Sequence, residues 1–138
     1  MISGIGVDLC RIPRIEAALK SEHFKENIFS LNEIAYCESK GAKKFYSYAS
    51  CFAAREAFIK AARLSLTSVM LGRNFELVRD DEGAPVIKLT GQLEELYPEE
   101  DSRIFVSLTH EGEYACAMVV IEKIHNEVIS NDNSDAGF

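Results

Sequence analysis

Phe52-Ala53-Ala54-Arg55-Glu56-Ala57-Phe58-Ile59-Lys60-Ala61-Ala62 is the stretch that organises this chain. It reads as helix, inside a longer helical segment from about Phe45 to Leu64. Five alanines surround Glu56 and Lys60 with small side chains, while Phe52, Phe58 and Ile59 supply apolar anchors on more than one side. The helix is therefore expected to be largely buried at the centre of the fold. Glu56 and Lys60 stand one turn apart on the same face. An exposed pair at this spacing is an ordinary surface salt bridge worth roughly 0.3–0.5 kcal/mol, but a buried one needs a reason to exist. A carboxylate holds a hard divalent cation and an ammonium holds a phosphate. Asp8, near the N-terminus, would complete a site with both functions.

Working outward, residues 2–9 alternate Ile5, Val7 and Leu9 with Gly4, Gly6 and Asp8, the pattern of a strand. One face is then nearly bare backbone leading to a carboxylate. That leaves room for a ligand to approach or serves a crowded crossing of elements. Pro13 fits the first turn of a helix to about Lys20, with Ile12, Ile15, Ala18 and Leu19 as its apolar stripe. Ser30-Leu31-Asn32-Glu33 matches a capping box opening a short helix to about Cys37. Gly41 to Lys44 reads as a basic loop, and residues 65–73 as irregular. Phe75–Val78 and Val86–Leu89 form a hairpin around Asp80-Asp81-Glu82-Gly83. Gln92 to Tyr97 is a short helix before Pro98. Ile104–Leu108 and Tyr114–Ile121 form a second hairpin, whose last strand is apolar enough to be central. Helices and strands mix without a βαβ period, so the class is α+β.

The 138 residues suit one domain, placed at 1–123, and 47% hydrophobic residues suffice for its core. A polar tail, 124–138, is expected to be disordered. No apolar run is long enough to span a membrane, and no basic-then-apolar leader marks a signal peptide. Cys10, Cys37, Cys51 and Cys116 lack CxxC spacing, which points to reduced thiols in the cytoplasm rather than zinc or a disulfide framework. The net charge of −7 excludes a broad basic face for nucleic acid. Local basic patches remain at Arg11 and Arg14 and at Lys40, Lys43 and Lys44. His23 and His125 have no supporting context and read as surface residues.

Four segments in order carry a resemblance. They are Gly4-Ile5-Gly6-Val7-Asp8, the central Phe52–Ala61 run, the turn Asp81-Glu82-Gly83-Ala84-Pro85, and Val106-Ser107-Leu108-Thr109-His110 followed by Tyr114-Ala115-Cys116-Ala117. Together they resemble the holo-[acyl-carrier-protein] synthase family of 4'-phosphopantetheinyl transferases over about residues 2–123. The resemblance implies that fold, with an antiparallel sheet and a long central helix. It also implies transfer of the phosphopantetheine arm of coenzyme A to a serine of an apo acyl carrier protein, releasing adenosine 3',5'-bisphosphate. Family members are typically homotrimers with active sites between subunits. Fatty-acid synthesis is the default pathway, with polyketide carriers as the alternative.

By the same resemblance, Asp8 and Glu56 match the Mg²⁺-binding carboxylates and Lys60 the phosphate-contacting lysine, the three catalytic positions. Lys60, His110 and Arg55 are expected at the coenzyme A site, and Arg11 and Arg14 at the carrier. Glu56, or a water that it orients, is a candidate to take the serine's proton. Three features depart from the family pattern. Cys51 stands where Arg is common, Arg55 where Lys is common, and Arg63-Leu64-Ser65 where a Gly-x-Gly turn follows the central helix. That turn is therefore expected to differ in shape, since glycine permits backbone angles that Leu and Ser do not. Two rival readings stay open: a non-catalytic member that binds coenzyme A or a carrier, and a small Mg²⁺-dependent hydrolase.

Overall fold

The structure, a computed structural model, describes residues 1–65 and 71–124. The tail expected to be disordered lies, from residue 125 on, outside them, as do His125 and residues 66–70 of the segment read as irregular. The elements are β1 (Ile2–Arg11), α1 (Ile12–Ala18), α2 (Glu22–Ile28), α3 (Leu31–Glu38), a short 3₁₀ turn (Gly41–Lys43), α4 (Lys44–Ala62), α5 (Leu71–Asn74), β2 (Phe75–Arg79), β3 (Pro85–Leu89), α6 (Gly91–Leu96), β4 (Ser102–Glu111) and β5 (Tyr114–Lys123). Among the described residues the strands form two antiparallel sheets, β1-β5-β4 and the hairpin β2-β3. β5 is central, as its continuous apolar sequence requires. The helix α2, which sequence periodicity did not reveal, is capped by Ser21, whose hydroxyl accepts from Phe24 N.

Local rules explain several boundaries. Ser30 and Glu33 close the expected capping box, with Glu33 N donating to Ser30 Oγ at 3.1 Å and Ser30 N donating to Glu33 Oε1 at 2.9 Å. Asp80 Oδ1 accepts from both Glu82 N and Ala84 N at 2.9 Å, which shapes the β2-β3 turn around a Gly83 with φ of 86°.

The core lies between α4 and the inner face of the three-stranded sheet. Tyr48, Phe58, Val119 and Ile121 are among its fully buried side chains. Gly4 and Gly6 are needed here for packing. A Cβ on either would stand 1.9 Å from a backbone oxygen of α4, that of Ala61 for Gly4 and of Ala57 for Gly6. The bare face of β1 is thus the crowded crossing, and α4 fills the space a ligand would have needed. The same geometry turns the apolar half of β1 outward. Ile5, Val7 and Leu9 are exposed, in register with Val120, Met118 and Cys116 on β5, and Phe105 of β4 joins them.

Candidate functional site

Asp8 follows Gly6 on the inner face of β1, just past the close crossing, so its carboxylate emerges beside α4. Lys60 Nζ lies 3.4 Å from Asp8 Oδ1 and donates to Val7 O at 2.9 Å. Lys60 therefore bridges from α4 to β1, and its ion pair is with Asp8 rather than with Glu56 one turn before it. Asp8 is largely covered, whereas more than half of the Lys60 side chain is exposed. Glu56 is half-buried on the same flank of the helix. Burial and then the Asp8 charge push the Glu56 carboxyl above its ordinary range, while Lys60 and Arg14 pull it back. The Cys10 thiol, two residues beyond Asp8 on the same face, is pushed up to about 11 by burial and by Asp8, with Glu56 adding a little.

Lys60 and Arg14 only partly offset what burial and Asp8 impose on Glu56, so the site gains from a further positive charge. Among the described residues no group of three or more His, Cys, Asp and Glu side chains is arranged to hold a metal ion. Two carboxylates nonetheless suit Mg²⁺, which keeps several waters and takes its remaining oxygens from a phosphorylated substrate. The donor set therefore fits that ion.

His110 occupies a different place. It ends β4, opposite Ala115 of β5, and its ring stands 4.9 Å from that of Tyr46 at the start of α4. Because β5 runs between β4 and β1, about 10 Å of sheet separates the strand of His110 from that of Asp8. His110 lines a cleft of about 460 Å³ with Lys40, Lys43, Tyr46, Ser50 and Arg79, and none of Asp8, Glu56 or Lys60 borders it. Three cations beside two aromatic rings make a cleft for an anionic ligand with a flat, stackable part. The run Lys40, Lys43 and Lys44 signalled part of this cleft in the sequence. Arg79 and Tyr46 gave no signal, since both reach it only through the tertiary fold.

Arg55 corrects an expectation. Its guanidinium is buried and pairs through both Nη atoms with the carboxylate of Glu33, an ion pair whose two side chains are 5% and 0% exposed. It also donates to Phe75 O at 3.2 Å. With both Nη atoms committed and the whole group buried away from solvent, Arg55 is part of the core. Arg11 ends β1 and makes an exposed ion pair with Glu113 at 3.5 Å. Arg14 is exposed on α1, close enough for its charge to act on Glu56 and Cys10. His23 is exposed on α2, as expected of a surface residue.

The turn after α4 is also informative. Arg63 adopts the left-handed conformation, with φ 57° and ψ 39°, and is the one non-glycine residue with positive φ among those described. Leu64 N donates to Ile59 O at 3.1 Å and Arg63 N to Lys60 O at 3.3 Å, the paired bonds of a Schellman cap. At Arg63 the backbone therefore takes the conformation that glycine would adopt there, so the expected change of shape does not occur at this residue.

A small α+β unit with a carboxylate pair and a lysine at a strand–helix crossing, and a basic cleft one sheet-width away, defines a class on which comparison agrees. Residues 4–119 match the 4'-phosphopantetheinyl transferase superfamily, and the chain belongs to it. Its enzyme class is holo-[acyl-carrier-protein] synthase. The protein of that name from Geobacter metallireducens is 39% identical over 127 residues, covering 90% of this chain and all of the relative. The fold is similar to the crystal structure of the holo-[acyl-carrier-protein] synthase of Neisseria meningitidis, with a TM-score of 0.79 and 30% identity over 89% of this chain and all of that one. It is also similar to that of the Bacillus anthracis enzyme in complex with CoA (3',5'-ADP), with a TM-score of 0.74 and 31% identity over 89% and 98% of the two chains.

Proposed function

We propose that this chain moves the 4'-phosphopantetheine arm of coenzyme A onto a serine of an apo acyl carrier protein, in a Mg²⁺-dependent reaction that releases adenosine 3',5'-bisphosphate. The observation that carries the reading is the convergence of Asp8, Glu56 and Lys60 from two elements remote in sequence, with Lys60 Nζ 3.4 Å from Asp8. Asp8 and Glu56 would hold Mg²⁺. When bound, the ion supplies charge neutralisation for the pyrophosphate and the leaving nucleotide. Lys60, exposed beyond the pair, exchanges Val7 O for a phosphate oxygen. The serine oxygen bonds to the phosphorus that carries the pantetheine arm as the bridging bond to the adenosine bisphosphate breaks, and the serine proton must leave. Glu56 is the candidate base. A pH–rate profile of Glu56→Gln that matches wild type would remove it from that role.

His110, Lys40, Lys43 and Arg79 suit the nucleotide end of coenzyme A, yet they sit a sheet-width from Asp8 in one chain. A homotrimer reconciles the two, with one subunit supplying the carboxylates and its neighbour the basic cleft. The outward apolar face of Ile5, Val7, Leu9, Phe105 and Met118 is the kind of surface such an assembly covers. Arg14, beside the carboxylate site, and Arg11 would receive the acidic carrier, in which local charge matters more than the overall −7. A cytoplasmic enzyme of fatty-acid synthesis is the setting that fits. Among the described residues no helix is long and apolar enough to cross a membrane.

Mass spectrometry of an apo carrier incubated with the chain, coenzyme A and Mg²⁺ tests the proposal. The carrier serine should gain the arm, and Asp8→Asn should slow the gain at least about a hundredfold, roughly 2.7 kcal/mol in the barrier. No gain with coenzyme A bound would leave a binding module, and phosphate released from simple nucleotides would leave a hydrolase.

A further inference from the structure

The Glu33–Arg55 pair is costlier than the core needs. Both side chains are almost wholly buried, and Arg55 Nε has no hydrogen-bond partner among the described residues. Buried ion pairs of this kind are often replaceable by apolar residues without loss of stability. What apolar residues cannot supply is direction. Glu33 Oε1 accepts from Ser30 N and Arg55 Nη2, and Oε2 accepts from Leu77 N at 2.9 Å and Arg55 Nη1 at 2.8 Å. The guanidinium plane is held between the rings of Phe29 and Phe75, at 5.4 and 5.0 Å. One fork therefore ties the start of α3 and the strand β2 to a single rotational setting of α4.

The opposite side of α4 is fixed by the glycines of β1 against Ala57 and Ala61. At 3.6 residues per turn, Arg55 projects about 160° round the helix from Ala57, and Glu56 lies on the flank between the two contacts. The glycine contact limits how near α4 comes to the sheet. Its partner surface is smooth alanine and bare backbone, which resists rotation poorly. The fork resists it well, because a planar guanidinium meets a planar carboxylate in one orientation.

We propose that Glu33 and Arg55 are positioning residues that set the rotation of α4 and thereby aim Glu56 at Asp8. The proposal rests on the reading of Asp8 and Glu56 as a divalent-cation site, and the test separates the two. Mn²⁺ binding in the presence of coenzyme A is followed by electron paramagnetic resonance in wild type, Asp8→Asn, the double variant Glu33→Leu/Arg55→Met and Arg55→Lys, with thermal melting of each. The double variant should melt below wild type, because Ser30 N and Leu77 N lose their acceptor, yet in its folded form bind Mn²⁺ at least tenfold more weakly. Arg55→Lys, which keeps the charge and loses the fork, should fall about threefold, and it decides the matter if the double variant does not fold. Unchanged Mn²⁺ affinity in a folded double variant, or in Arg55→Lys where that is the folded one, overturns the positioning role. If Asp8→Asn binds Mn²⁺ as well as wild type, the cation site itself is wrong and the positioning proposal goes with it.

Discussion

Helix α4 carries acid–base groupings on two flanks, and they are built in opposite ways. On one flank Glu33 is surrounded by four donors, from Ser30, Leu77 and the two Nη atoms of Arg55, and water is shut out. On the other, Lys60 pairs with Asp8, and the Glu56 carboxyl is held above its ordinary range by burial and by Asp8. Adjacent residues in the sequence, Arg55 and Glu56, thus belong to a closed charge network and an open one. A closed network is shut off from any ligand by burial. An open one has charge to spare, which is what a site for a cation and a phosphate requires.

The largest expected effect breaks the closed flank. Glu33→Gln leaves a buried guanidinium without its counter-charge and removes an anionic acceptor from two backbone amides. Denaturant or thermal unfolding should show a loss of about 3–5 kcal/mol. Asp8→Asn on the open flank should behave oppositely. The Glu56 carboxyl, raised in the folded chain, contributes stability that is fully present below the unfolded glutamate value near about 4.3 and is lost as pH rises from there through the higher folded value. Removing the Asp8 charge relieves part of that at neutral pH and costs only a half-exposed ion pair with Lys60, worth about 0–1 kcal/mol. Melting at pH 7 should therefore barely move while transfer falls. A collapse of stability in Asp8→Asn would erase the distinction between the flanks.

The next effect acts on the crossing that both flanks share. Gly6→Ala introduces a Cβ 1.9 Å from Ala57 O, a backbone atom that cannot swing aside. Helix α4 must lift from β1 or β1 must bend, at a cost of about 1–3 kcal/mol or more. Because Asp8 follows on the same strand, the variant should also weaken Mn²⁺ binding. Wild-type melting and binding together would show that the crossing has slack.

The open flank was legible in the sequence because its signals are short-range. Glu56 and Lys60 are one turn apart, and the alternation on β1 puts Asp8 on the glycine face. The capping box at Ser30 and the central place of β5 were legible for the same reason. The closed flank was not. Spacing on a helix says which residues share a side and nothing of which side meets solvent, and the partner of Arg55 lies 22 residues upstream. The resemblance alone placed Arg55 at the cofactor, and Glu33 read only as half of a helix cap. The glycine pattern on β1 was ambiguous between ligand space and crowding until the position of α4 decided it. Likewise the outward Ile5, Val7 and Leu9 carry the alternation of a strand whose apolar face meets the core, and only the glycine crossing reverses that side.

The smallest effect concerns the end of α4, where the open flank meets its C-terminal cap. Arg63 holds φ at 57° although it carries a Cβ, which costs about 1–2 kcal/mol relative to the right-handed region. Glycine removes that strain but adds about 0.4–1 kcal/mol of unfolded-chain entropy to be lost on folding. Arg63→Gly should therefore raise stability by a net of about 0.5–1 kcal/mol, seen as a rise of a few degrees in thermal melting. Arg63→Ala is the control: it keeps the Cβ and the strain, and should gain nothing. If both variants gain equally, the benefit comes from removing the arginine side chain, and the left-handed cap carries no strain. If only glycine gains while Mn²⁺ affinity stays at the wild-type value, the cap adjusts the stability of α4 without setting the aim of Glu56, and the buried fork at Arg55 keeps that role alone.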